Sequence, residues 1–235
     1  VKIWAVYRKE LRSYFCSPLA YTVIGVYLAL SGYFFSVILV TTKQLIMTGV
    51  FANMGLMLVF IAPILTMRLL TAEESEGTME LLLTTPVTVF DIVVGKYLAA
   101  FTVFLMGTVL TLSFPLFLCT YGSPDFGPII TGYTGFVLLG GAFLAIGLFM
   151  SATTDNQVIA GVLTFGVGLA LWIVGWLAEE LTGKARDIAN HISAVQRYEG
   201  FLYGVLDLSD VTYFITIILA FVFLTCFAVI KRNCF

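Results

Sequence analysis

Six stretches of this chain run for twenty residues or more without an Asp, Glu, Lys or Arg: 13–42, 44–67, 97–124, 126–154, 156–178 and 211–230. A helix rises about 1.5 Å per residue, so roughly 20 apolar residues cross the ~30 Å hydrocarbon core of a bilayer. In lipid the backbone must satisfy its own hydrogen bonds, and a helix does so within one segment. A β-barrel would show short alternating segments instead of long unbroken runs. The expectation is an all-α polytopic membrane protein, a single unit over 1–235, with six spans near 19–40, 51–70, 94–119, 128–151, 157–178 and 211–230. Composition agrees: 11% of residues are charged, against about 25% in soluble domains. The first span is too long for the apolar region of a cleaved signal. Pro18 suits the first turn of span one, and Pro63 and Pro115 should bend spans two and three. Span four carries Gly132, Gly135, Gly140, Gly141, Ala142, Ala145 and Gly147, which let helices approach closely.

The segment before span one holds Lys2, Arg8, Lys9 and Arg12 but one acid, Glu10. The positive-inside rule places it in the cytoplasm. Six spans return Lys231 and Arg232 to the same side, so both termini are expected inside. Residues 2–15 read as an amphipathic helix. Ile3, Trp4, Tyr7, Leu11, Tyr14 and Phe15 share an arc of about 120°, with the charges, Glu10 included, outside it. Such a helix lies in the membrane plane. It either anchors span one or acts as a lever on a cytoplasmic partner.

Four of the chain's 14 acids, Glu73, Glu74, Glu76 and Glu80, fall within "TAEESEGTMELLLTTPV", residues 71–87, on the expected cytoplasmic side. Thr71 and Glu74 fit a capping box. Gly77 reads as a break, Thr78 as a second cap before Met79, Glu80, Leu82 and Leu83, and Pro86 as the stop. The product is a short helix with an apolar face and a carboxylate-rich approach. It is a solvated face or a docking element whose acids meet basic residues of a partner. Calcium-loop spacing is absent, and no pocket for paired-carboxylate catalysis is evident.

These residues carry a resemblance. "RLLTAEESEGTMELLLTTPVTVFDIVVGKYLAAF" resembles the loop-plus-span-three signature of ABC-2 type permeases, through Arg68, Glu73, Glu74, Gly77, Thr78, Glu80, Leu82, Leu83, Thr85, Pro86, Gly95, Lys96 and Tyr97. "RKELRSYFCSPLAYTVIGVY" and "HISAVQRYEGFLYGVLDLSDVTYF" are similar to the branch associated with gliding motility. The permease of the nitrous oxide reductase maturation system looks similar too. The resemblance implies a type V exporter-like fold and a dimer with an identical or similar permease, served by two ABC ATP-binding subunits that hold ATP and Mg. It implies that 71–87 is the coupling helix, with Glu73, Glu74, Glu76, Gly77, Thr78, Glu80, Leu82, Leu83 and Pro86 meeting the ATPase. It makes the N-terminal segment, with Trp4, Arg8, Lys9 and Arg12, the connecting helix. It also turns spans two and five toward the dimer axis. Asn53, Met57, Phe60, Asn156, Gln157, Thr164 and Phe165 then become candidates for lining a passage, each with helix packing or lipid contact as the alternative.

The residues themselves support that division of labour. No GxxxxGK[ST] occurs, so this chain has no P-loop for ATP. The spans lack a Ser–His pair, paired Asp residues or HExxH, so no catalytic residue is expected. No cofactor or metal is expected on this chain: Cys16, Cys119, Cys226 and Cys234 form no CxxC, and His191 is the sole histidine. A net charge of −2 gives no nucleic-acid footprint. The partners expected are the ATPase, a second permease, membrane lipid and a periplasmic protein on segment 179–210. There Ile188, Ile192 and Val195, then Phe201, Leu202, Val205 and Leu206, suggest two short helices. The location implied is a bacterial inner membrane, and the role is export or mechanical work. The competing reading is a membrane scaffold that passes ATPase motion to an envelope partner through 179–210 and moves no solute.

Overall fold

The computed structural model describes residues 2–75, 77, 87–180 and 193–233. Among these residues the chain forms helices and no strand. In order they are α1 (Lys2–Cys16), α2 (Pro18–Thr42), α3 (Thr48–Thr66), α4 (Thr71–Ser75), α5 (Val89–Leu110), α6 (Ser113–Tyr121), α7 (Phe126–Ala152), α8 (Gln157–Glu180), α9 (Ala194–Leu202) and α10 (Leu208–Asn233). Six stretches are long and apolar enough to cross a membrane: Pro18–Thr42, Thr48–Ser75, Val89–Tyr121, Phe126–Ala152, Gln157–Leu177 and Leu208–Arg232. This is the all-α, six-span architecture that the charge-free runs predict.

Local chemistry sets the starts. Ser17 accepts the Leu19 N–H at 3.2 Å, and Pro18 occupies the first turn of α2. Thr88 and Asp91 exchange a full capping box, which starts α5 several residues ahead of the apolar run. The third span is broken where α5 meets α6. Thr111 and Leu112 donate to Thr108 and Val109, each at 3.1 Å, the tighter three-residue spacing. Pro115 follows and has no N–H to carry the ladder onward. Pro63 lies inside α3, which ends three residues later at Thr66.

The centre of the bundle is α7. Its apolar window is 78% buried, against 22% for α2 and α10. Glycine makes this possible: a Cβ at Gly135 would sit 2.6 Å from the Phe201 side chain, and one at Gly140 would strike the Phe104 ring. Helices α10, α3, α9, α8 and α5 all pack on α7, and α1 packs chiefly on α5.

Contacts define two ends. At one, which we call the charged end, lie α1, α4, the α7–α8 turn and the tip of α10. At the other, the aromatic end, α9 is wedged among α3, α7 and α8. Ala194, Val195, Tyr198, Phe201 and Leu202 are buried there. The Tyr198 hydroxyl donates to the Phe51 carbonyl at 2.9 Å, and Thr131 donates to the Phe201 carbonyl at 2.7 Å.

The two short helices expected over 179–210 differ from what forms among the described residues. One helix carries Val195, Phe201 and Leu202 together, and Val205 and Leu206 lie beyond it, exposed. The reason is Gly204, at φ 89°. With Val205 donating to Gly200 at 3.0 Å and Gly204 to Phe201 at 3.3 Å, the end is a Schellman cap. Ile188, His191 and Ile192 lie outside the described residues.

Candidate functional site

At the charged end the last turn of α3 runs through residues 67–70 into α4. Its backbone is pinned from two sides: Leu70 N–H donates to Ser151 on α7 at 3.1 Å, and the Leu69 carbonyl accepts from Lys96 on α5 at 2.6 Å. The capping box expected at Thr71 and Glu74 does not form. The Thr71 hydroxyl donates backward to the Met67 carbonyl, and Glu74 N–H donates to Leu70. Thr71 therefore continues the preceding turn. Gly77, at φ 64°, closes the segment with its N–H on the Glu74 carbonyl at 3.1 Å. A left-handed residue of this kind is strongly disfavoured for anything but glycine.

The side chains around this turn form an ionic hub. Lys96 is 2% exposed. Its ammonium has three N–H donors and no acceptor. It donates to Glu10 of α1 at 3.0 Å and to the Leu69 carbonyl, and it lies 3.0 Å from Glu73 of α4. Lys9, from α1, donates to the other Glu73 oxygen at 3.0 Å. On the far side of α4, Glu74 faces Arg232 of α10 at 3.6 Å, and Arg232 also pairs with Asp155 between α7 and α8. A five-residue helix is thus tied by charge to α1, α5 and α10, and Arg232 links it onward to the α7–α8 turn.

The energetics of the two halves differ. Removing an ammonium from water costs several kcal/mol, offset only when its neighbours are charged and well placed. Lys96 meets that condition; its deletion would leave Glu10 and Glu73 to share the largely exposed Lys9, which lies 3.9 and 3.0 Å from them. The outer Arg232 pairs are partly exposed, where such contacts contribute about 0–1 kcal/mol each.

Four hub residues, Glu10, Lys96, Asp155 and Arg232, lie outside the expected site set. The helical wheel excluded Glu10 from the apolar arc of α1. The face that packs is Ile3, Val6, Tyr7, Glu10, Leu11, Tyr14 and Phe15; it keeps all of the expected arc but Trp4, which is 64% exposed, and adds Glu10 and Val6, which meets Gly95. A lone lysine at the head of an apolar helix was the readable signal for Lys96. Tyr7 contacts Thr102 at 3.2 Å, and Tyr14 donates to the Leu65 carbonyl at 2.5 Å. Burial, then the nearby Glu10 charge, pushes the Tyr14 phenol well above its usual pKa, with Arg68 opposing.

The remaining expected residues distribute as follows. Glu73 and Glu74 turn toward cations of their own chain. Glu76, Thr78, Glu80, Leu82, Leu83 and Pro86 lie outside the described residues. Trp4, Arg8 and Arg12 are exposed on α1, and Lys9 joins the hub. Of the passage candidates, Phe60 and Phe165 meet, with ring centroids 5.3 Å apart. Asn53 donates to its own helix at Gly49, Asn156 caps the start of α8 through Val158 N–H with Gln157 beside it, and Met57 and Thr164 are buried. Among the described residues no three His, Cys, Asp or Glu side chains gather as metal ligands.

Comparison with known proteins places this architecture. The family described as ABC-2 family transporter protein matches residues 23–226. No curated protein matches the chain.

Proposed function

The chain belongs to the ABC-2 transporter family, and from that premise we propose that α4 and its ionic hub are the inlet through which a separate ATPase moves the spans. As a member it is a membrane permease subunit of an ABC transporter, whose ATP-binding subunit is a different polypeptide. The finer reading is ours. Two ATPase copies sit under a pair of permeases, identical or similar, in a bacterial inner membrane, with the charged end in the cytoplasm. Loop 71–87 is the coupling helix and α1 the connecting helix. ATP and Mg belong to the partner, and this chain is not catalytic.

The observation that supports this most is the double role of α4. It leads directly into the loop, and its carboxylates are bonded to α1, α5 and α10. A displacement arriving past Gly77 is passed to spans one, three and six through short charged contacts rather than through compliant apolar packing. Glu73 and Glu74 act as this inward linkage, leaving Glu76 and Glu80 as the acids offered to the ATPase. The Phe60–Phe165 pair, partly exposed on the α3–α8 side, is where we place the second permease and the passage between the two.

The scaffold reading needs an outward-facing surface on 179–210; the described part of that segment turns Val195, Tyr198, Phe201 and Leu202 into the bundle and leaves Tyr203, Val205, Leu206 and Leu208 exposed.

The test is to co-purify the chain with its ATPase in mild detergent, reconstitute the complex, and compare Glu74→Lys and Glu80→Lys. Both variants are expected to assemble in the membrane, with the ATPase no longer responding to the permease. Unaltered coupling in both would remove the docking and linkage roles of these acids.

A further inference from the structure

Two hollows meet beside the hub. One, of about 380 Å³, is polar, and its walls include Lys9, Glu10, Tyr14, Glu73 and Lys96. The other, of about 420 Å³, is an apolar groove between α2 and α3, with Thr22, Val23, Val26 and Ile61 along it. Ser17, Leu19, Ile64 and Arg68 line both. Each volume falls in the ~300–1,000 Å³ range of small-ligand pockets.

The charges at the junction do not cancel. Lys96 and Lys9 are matched by Glu10 and Glu73. Arg68 is exposed and has no ion pair or hydrogen bond among the described residues. One positive charge is left over, at the point where the polar hollow opens into the apolar groove. The amino end of α2, at Pro18, lies at the same level and adds partial positive charge. At that level α2 begins, at Pro18, and α3 ends, at Thr66.

We propose that this paired hollow holds one anionic phospholipid: a phosphate on Arg68, the headgroup in the polar hollow, and an acyl chain in the α2–α3 groove. The lipid is a resident ligand that braces α1 against spans one and two, not the cargo. A plain hydrocarbon would leave Arg68 without a counter-ion, and a soluble phosphate would leave Val26 and Ile64 uncovered. An anionic amphiphile satisfies both halves. This inference needs only the membrane embedding of the spans, so it stands or falls separately from the role of the ATPase.

The probe is the purified full chain, delipidated and titrated in detergent with phosphatidylglycerol or with phosphatidylcholine of the same acyl chains. Bound lipid is counted by native mass spectrometry. Phosphatidylglycerol is expected to be retained preferentially. Arg68→Gln should weaken it about fivefold, the effect of losing one phosphate-facing cation, and Arg68→Lys should restore most of it. Thr22→Trp, which fills the groove, should reduce retention of both lipids. Lys231→Gln, a cation at the same end on α10, should change nothing. Equal retention of the two lipids, full retention by Arg68→Gln, or displacement by glycerol phosphate alone would overturn the proposal. So would an interchain disulfide from Thr22→Cys in a background lacking the native cysteines, since a second copy would then occupy the groove.

Discussion

At the charged end, Lys96 is buried between Glu10 and Glu73, and its ammonium also holds the Leu69 carbonyl. At the aromatic end, Tyr198 is buried as completely and spends its one proton on the Phe51 carbonyl, with Gly55 and Trp172 packed around it. Both fastenings join segments distant in sequence. They respond differently to displacement. An apolar plug loses contact energy gradually as it is withdrawn, because each atom pair contributes only about 0.1–0.2 kcal/mol. A buried charge pair has two acceptable arrangements, closed and fully hydrated, with a costly interval between them. The charged end is therefore suited to switching and the aromatic end to holding.

The most severe way to break this contrast is Lys96→Met. It removes the buried cation between Glu10 and Glu73 and leaves them only Lys9, and the expected loss is about 3–5 kcal/mol, read from urea unfolding in detergent. The combined change Glu10→Leu, Glu73→Leu and Lys96→Met should recover most of that stability while still failing to couple to the ATPase. If the combined variant couples normally, charge is not what transmits motion. Overpacking the other end comes next. Gly135→Val puts a side chain against Phe201 and should cost about 1–3 kcal/mol in the same unfolding measurement. Tyr198→Phe keeps the packing and removes one hydrogen bond, for about 1 kcal/mol, with the ATPase response unchanged. The smallest effect is expected for Glu74→Gln, at or below about 1 kcal/mol. That loss should be masked when wild type and variant are compared in high salt, which screens the partly exposed Arg232 pairs but not Lys96.

The spans and their number were legible because the bilayer sets a length that charge-free runs either meet or miss. The break at Thr111 was legible in kind, from Pro115, though the turn that yields lies just upstream. The hub was not. Lys9 and Glu73 are 64 residues apart, and Glu10 and Lys96 are 86 apart. Nothing local says which cation a carboxylate finds. The acids at 71–87 look like a solvated or docking surface because like charges cluster there, yet Glu73 and Glu74 find their neutralising partners on other helices. Glu10 was lost for a different reason: its position belongs to the packed face of α1 only when Val6, a modest apolar residue, is weighted above Trp4. In α9, Arg197 is held by Asp210 at 2.8 Å and lies over the Tyr213 ring, while Val195, Tyr198, Phe201 and Leu202 enter the bundle.

The central position of α7 bears on how the chain comes off the ribosome. Its glycine face is the floor on which Phe51, Phe104 and Phe201 rest, yet α1 to α6 have all been synthesised before residue 126 emerges from the exit tunnel, and α9 comes later still. Lys9, Glu10, Glu73 and Lys96 all precede that point. The inner quartet can therefore close while the nascent bundle still lacks its keel, clamping the first three spans in register until α7 slides in beneath them.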